Sequence, residues 1–292
     1  MNYMMKSIIK ITLFLFFPLR LSGTAQIPDL IIYKGDTLLL YNCLLEFYPN
    51  EELINPRNLF GSSGCFYTAC WRNYIATWEI IDNKLYLVEI KNACYPTKMK
   101  NVAASYKTGA EKDSIGLEFA DLKILFPDKY ENGKIKADWV SEKLYSPQGK
   151  LLLYFHLGLE SIYERELEFV IENGTLIETK LHDNSKTKKS KYTEDQNLLK
   201  EFIYSNIDNN NLPKSDTIAR LVFAQIISSN ENGKIDSVNI IIGVNTLYDN
   251  EVVRVIKSIP EWDVIYRHGE KINILWTIPV KFDLTEKKEI KR

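Results

Sequence analysis

The densest run of residues able to do chemistry is "HLGLESIYERE", which carries His156, Glu160, Tyr163, Glu164, Arg165 and Glu166. A histidine beside carboxylates is the usual material of general acid–base catalysis, because its ordinary pKa lies near neutrality. His156, Glu160 and Glu164 are therefore the candidate ligand cluster. Their spacing puts them on one side only if the segment is a helix or an unbroken strand. No H-E-x-x-H, G-x-S-x-G or phosphate-cradling glycine loop accompanies them, and those motifs supply the nucleophile, metal or phosphate chemistry of most hydrolases. The plainer reading is a half-buried strand with ion pairs at its rim, and the chain is expected to be no enzyme and to need no cofactor. His182 and His268 read as isolated and exposed. Trp71, Tyr74, Trp78, Tyr86 and Trp139 could stack on a sugar, but aromatics alternating along strands are more often core.

Four cysteines, Cys43, Cys65, Cys70 and Cys94, come next. Zinc would need four N, S or O ligands, and no histidine lies between Gln26 and Lys100. Disulfides are the better reading, and four cysteines allow three connectivities. A hairpin around Asp82-Asn83, with Ile81 opposite Lys84, sets Trp71 opposite Cys94 and Cys70 diagonal to it, close to bonding range given a bulge or a small slip. The expected pairs are Cys70 with Cys94 and Cys43 with Cys65.

The elements that would position these groups fall into two textures. From Ile27 to about Leu181 the pattern is mainly strand. "LIIYKGDTLLLY", "YIATWEIIDNKLYLVEI" and "RELEFVIENGTLIETKL" each read as a hairpin around a tight turn. Lys98 to Lys112 reads as a loop, and "SIGLEFADLKILF" as a strand entry or a short helix from Leu117 to Leu125 stopped by Pro127. His182 to Asn197 is polar and reads as a solvated linker rather than a basic patch. Beyond it, Leu198, Leu199, Phe202, Ile203 and Ile207 share a helical face. Two strands joined through Gly233 follow, then a helix opened by Asp249 with a stripe of Val252, Val253, Ile256 and Ile259, then one closing strand from Lys271 to Phe282.

The bulk numbers agree with a globular chain. It has 292 residues, 45% of them hydrophobic, and a net charge of −1, which leaves no electrostatic footprint for nucleic acid. Lys6, Lys10, the apolar "ITLFLFFPL" and small residues up to Ala25 read as a cleaved secretory leader, residues 1–25. The apolar run is too short to span a bilayer, which takes ~20 residues. Export to a periplasmic or similar compartment is expected, with no membrane span in the mature chain. That compartment oxidises thiols, in keeping with the disulfide reading.

Residues 198–284 resemble the C-terminal domain of TonB-type energy transducers, in the form common in exported proteins of Bacteroidetes-type bacteria. The resemblance rests on the ordered set "LLKEFIYSNI", "NGKIDSVNI", "YDNEVVRVIKSIPEW" and "HGEKINILWTIPVKFDL", with Gly233, Asp249, Arg254, Pro260, Trp262, Gly269, Pro279 and Phe282 at the family's positions. It implies a small sheet with helices on one face, and a docking mode in which an extended peptide pairs beside the last strand. The chain departs from the family at Leu212-Pro213, where a Tyr-Pro is usual, and at Ile218-Ala219-Arg220, which lacks a glycine. With neither an anchor nor a proline-rich spacer it is not expected to transmit force. The N-terminal part is similar to a group of exported proteins, through "WRNYIATWEI" and "GKLLLYFHLGLESIYERELEF", and that similarity implies no chemistry.

The expectation is thus an α+β protein: a leader (1–25), a mainly-β, sandwich or barrel-like disulfide domain (26–182), a linker (183–197), a helix-strand-strand-helix-strand TonB-like module (198–284) and a charged tail (285–292). Its expected work is binding an envelope protein or extended peptide along Lys271, Ile272, Asn273, Ile274, Leu275, Trp276, Thr277, Ile278, Val280 and Phe282. The alternative is a periplasmic ligand-binding or hydrolytic β domain, with the C-terminal module used for targeting or assembly.

Overall fold

A computed structural model of the chain describes residues 25–95, 116–155, 158–213 and 220–282. The expected leader up to residue 24, the loop reading at 98–112, His156 and the charged tail lie outside the described residues. The protein is α+β, with strands predominating. No helix among the described residues is long and apolar enough to cross a membrane.

The N-terminal region is one curled sheet in the order β2-β1-β3-β4-β9-β8-β7, formed by β1 (Asp29–Tyr33), β2 (Asp36–Leu40), β3 (Tyr74–Ile81), β4 (Lys84–Asn92), β7 (Lys143–Leu153), β8 (Ile162–Glu172) and β9 (Thr175–Asp183). The short pair β5 (Tyr130–Glu131) and β6 (Lys134–Lys136) hangs on β4. β1 and β3 run parallel; their neighbours are antiparallel. The curl brings the two ends of this order together, where Tyr41 N–H donates to the Tyr145 carbonyl at 2.8 Å. Trp78, Tyr74, Ile31, Leu85, Leu87, Ile135 and Phe169 fill the enclosed core, since alternation aims every second side chain of each strand inward. The aromatic platform is dispersed by the same rule. Tyr74 and Trp78 are buried, Trp139 packs on the core and Trp71 is exposed.

The Asp82-Asn83 turn forms as expected, with both residues at positive φ and Ile81 opposite Lys84. The disulfide does not follow from it. Cys65 bonds Cys94, with Cα atoms 5.7 Å apart, and Cys43 and Cys70 are free. The physical reason is a register shift between Thr77 and Trp78, after which β3 ends at Tyr74 opposite Asn92. Residues 70–73 turn away from the ladder. Asn73, at positive φ, takes the Cys65 N–H on its side-chain oxygen at 2.6 Å and so delivers Cys65 to Cys94.

Residues 183–197 are not a solvated linker. Asn184, Ser190 and Tyr192 are buried, and Lys188 exchanges two main-chain hydrogen bonds with Val264. The short helix α3 (Lys191–Glu194) lies here, and Tyr192 joins the second core. That core belongs to a three-stranded antiparallel sheet, β11-β10-β14, made of β10 (Arg220–Ser229), β11 (Ile235–Ile242) and β14 (Trp276–Phe282). Helices α4 (Gln196–Asn206) and α5 (Thr246–Lys257) supply its other side. Two other short helices, α1 (Pro56–Phe60) and α2 (Leu122–Leu125), belong to the first region.

Three expectations need correction here. Helix α5 is capped by Asn245, whose side chain accepts from the N–H groups of Leu247 and Tyr248, and not by Asp249. Its buried stripe uses Val255 where Val253 was expected. The closing run is two strands rather than one. Glu270–Ile272 is β13, the partner of β12 (Ile265–Arg267) in a hairpin, and Asn273–Leu275 separates it from β14. Gly233 does turn the β10–β11 loop at positive φ. A Cβ there would also stand 2.7 Å from the Trp262 carbonyl oxygen, so no side chain fits.

Candidate functional site

The small sheet ends in two edges, and main-chain alternation says which groups each presents. Along an antiparallel strand, the N–H and C=O of one residue point together to one side, and those of the next residue to the other. Lys281 N–H donates to the Tyr204 hydroxyl of α4 at 3.0 Å, so Lys281 faces away from β10. Pro279 and Thr277 face the same way. Pro279 has no N–H to give.

The same counting runs across the sheet. Val222 pairs with Val280, Gln225 with Asn239 and Ala224 with Ile240. Asn239 therefore faces β10, and Val238 and Ile240 turn their N–H and C=O groups outward from β11. Those main-chain groups have no hydrogen-bond partner among the described residues. The side chains of Val238 and Ile240 pack inward on the helices. On the opposite sheet face, Ile241 and Ile242 are 50% and 55% exposed and Leu221 is 42% exposed. Phe223 pairs with Ile242 on one side and Pro279 on the other, so this apolar strip runs from β11 across β10.

The residues expected to dock a partner are thus divided. Lys271 and Ile272 lie in β13, whereas Asn273, Ile274 and Leu275 link the hairpin to β14. Trp276, Ile278, Val280 and Phe282 pair with β10 and turn their side chains to the helices. Within β14 only Thr277 presents an outward N–H with no acceptor among the described residues.

The rest of the module is anchored through the β12–β13 hairpin, whose two-residue His268-Gly269 turn sits at positive φ. Arg267 pairs with Glu160 at 2.6 Å. His268 N–H donates to Glu166 at 2.9 Å, and its Nδ1 lies 3.0 Å from the same carboxylate oxygen. Gly269 N–H donates to Asn184 at 2.9 Å, and Asn184 in turn donates to Glu166 at 3.0 Å. The His268 ring stacks on Tyr145 with centroids 3.9 Å apart. Beside them His182 Nε2 is 2.5 Å from Glu168, which also pairs with Lys143. His182 and His268 are therefore neither isolated nor both exposed: His182 is buried, and each histidine contacts a carboxylate.

Burial opposes the charge on Glu166, but the His268 side chain, Asn184 and the His268 N–H outweigh it and hold its pKa below the usual range. Burial likewise opposes the Glu168 charge, and His182 and Lys143 overcome it. These carboxylates are held in the ionised form by their neighbours, which suits a joint between regions better than a proton shuttle. Of the expected ligand cluster, Glu160 pairs with Arg267, the Glu164 side chain lies against Gly149, and His156 lies outside the described residues. The crevice at the end of the small sheet and the hollow beside α5 are lined by none of them. Among the described residues no group of three His, Cys, Asp or Glu side chains is arranged to hold a metal ion.

Sequence reasoning missed β11 as an edge and the histidine joint. The signal for the first was present in "IDSVNIII", a strand with neither proline nor lysine, the two residues that usually blunt an edge. No family model, curated protein or solved structure matches this chain.

Proposed function

We propose that this protein works by binding, and that its C-terminal module receives an extended segment of another envelope protein as a fourth strand on the small sheet, beside β11. The observation that carries this reading is the pair of outward residues Val238 and Ile240, whose N–H and C=O groups have no partner among the described residues. Four unpaired main-chain groups in register are what an added strand bonds to. The exposed Ile241, Ile242 and Leu221 flank that edge and supply apolar contact for alternate side chains of the incoming segment.

The resemblance of residues 198–284 to the TonB C-terminal domain supports the docking mode, and the placement differs. The family's edge is the last strand, whereas here Pro279 and Tyr204 blunt β14. The Cys65–Cys94 disulfide is consistent with an exported protein that meets its partner in the envelope.

Hydrogen exchange on the complex recovered from envelope extract tests the reading. The amides of Val238 and Ile240 should become protected when the partner binds, and Ile240→Pro should abolish capture while Ile240→Ala retains it. Unchanged exchange at both amides, with undiminished capture by the proline variant, would remove β11 from the binding surface.

A further inference from the structure

Two cysteines remain after Cys65 and Cys94 have bonded, and the fold carries them to one place. Arg72 is the centre of it. Its Nη2 donates to Asp29 at 3.1 Å and to the Ile27 carbonyl at 3.0 Å, with both side chains of the pair buried. Cys70 precedes Arg72 by two residues, is buried, and points its Sγ at the Tyr74 carbonyl at 3.1 Å. Cys43 arrives from the other side. Asp29 is the ladder partner of Leu40 at the end of β2, three residues before Cys43. Cys43 caps the 3₁₀ turn Leu44–Phe47, and Glu46 in that turn accepts from the Tyr74 hydroxyl at 2.9 Å. One residue, Tyr74, is thus bonded to the Cys70 thiol through its carbonyl and to the Cys43 turn through its hydroxyl.

We propose that Cys43 and Cys70 close a second disulfide, stapling the turn after β2 to the loop that leads into β3. The chain that forms Cys65–Cys94 has met an oxidant, and the only other intrachain pairing is this one. The oxidant is a disulfide donor, either a disulfide-bonded thiol oxidoreductase or oxidised glutathione. Cys43 is half-buried and Cys70 wholly buried, so Cys43 reacts first. Its thiolate attacks one donor sulfur, the donor S–S bond breaks, and a mixed disulfide forms with release of one donor thiol. The Cys70 thiolate then attacks the Cys43 sulfur and releases the second donor thiol. The cysteine pair gives up two electrons, the donor disulfide gains them, and the two cysteine protons end on the donor thiols.

Arg72 assists because it favours the attacking form. Burial raises both thiols, and the Arg72 charge opposes it at each. Two guanidinium N–H groups, at Nε and Nη1, are buried without an acceptor, and a transient thiolate is the acceptor this spot can generate.

The full chain, folded in a glutathione redox buffer, denatured, alkylated with iodoacetamide without reduction and then digested, decides it. The Cys65–Cys94 peptide pair is the internal control for oxidation. The expected map contains that pair and a Cys43–Cys70 pair, with no alkylated cysteine. Alkylation of both Cys43 and Cys70 beside an intact Cys65–Cys94 pair overturns the proposal, as does a map linking either of them to Cys65 or Cys94. The double variant Cys65→Ser/Cys94→Ser gives a second reading that removes exchange with the first bridge. Its remaining two thiols should fall from two alkylation adducts to none on oxidation, and two persistent adducts in the folded variant count against the bridge.

Discussion

The two edges of the small sheet are opposites. Along β14 a proline sits at the centre and the next outward N–H is capped by the Tyr204 hydroxyl. Along β11 two residues present main-chain groups with no partner among the described residues, and exposed isoleucines lie beside them. An isoleucine-rich open edge is a template for aggregation, and proteins ordinarily blunt such edges with proline, lysine or a covering element. Among the described residues this sheet carries those devices on the β14 side only. On the proposed reading β11 is the edge that receives a partner, while β14 is an edge closed by its own chain.

The strongest way to break that comparison is Ile240→Pro. The Ile240 N–H faces outward, so proline removes no bond to β10 while denying one to a guest strand. Binding of the captured partner should weaken by about a hundredfold, equivalent to roughly 2.7 kcal/mol. Ile240→Ala, which loses only packing on the helices, should stay within a few-fold of the parent. Titration by calorimetry measures both, and equal affinity for the proline variant and the parent would make the open edge irrelevant.

The cover over β14 depends on a buried acid, and pH sharpens the comparison there. Glu251 on α5 accepts from the Asp208 N–H at 2.6 Å, from Asn211 at 2.7 Å and from Arg254, and so holds the loop that follows α4. Burial opposes its charge, but Arg254, Asn211 and the Asp208 N–H prevail and hold its pKa at about 2. The folded pKa is depressed, so the stability it contributes is fully present above the ordinary value of 4.5 and is lost as pH falls through about 2. Arg254 is half exposed, and solvent screening trims the gain. Glu251→Gln should cost about 2 kcal/mol at neutral pH. The gap between variant and parent should close between pH 4.5 and 2 in denaturant melts. Glu166 and Glu168 have lowered pKa values as well, so the variant keeps a smaller acid sensitivity at the joint. A variant gap that does not change with pH would sink the role given to Glu251.

Much of this scaffold was legible in the residues. The Asp82-Asn83 and Asn173-Gly174 turns, the amphipathic α4 and the glycine at 233 are local signals, and local geometry obeyed them. What failed depended on counting through irregular ladders. One register shift between Thr77 and Trp78 undid the cysteine pairing. Another, between Val170 and Ile171, sets Glu166 opposite His182, which no ideal count from Asn173-Gly174 predicts. The break at Asn273–Leu275 was equally hidden, because "KINILWTIPVKF" alternates as well across the gap as within either strand. The open edge failed for another reason: strand order is a tertiary property, and pattern alone does not say which strand ends a sheet.

The smallest expected effect is the most direct test of what closes β14. Tyr204→Phe removes one hydroxyl and leaves the ring. The Lys281 N–H then loses that acceptor, at a cost of about 1 kcal/mol, and its amide should exchange faster while those of Val222 and Val280 inside the ladder do not change. Adding Pro279→Ala restores the missing N–H at the centre of the edge, so the double variant presents Thr277, Ala and Lys281 donors in a row. If proline and tyrosine are what distinguish the two edges, the double variant should self-associate or take up the partner segment at two sites instead of one, measured by sedimentation and by binding stoichiometry. If it remains unchanged in both, the difference between the edges lies in the side chains that flank them rather than in their main-chain groups.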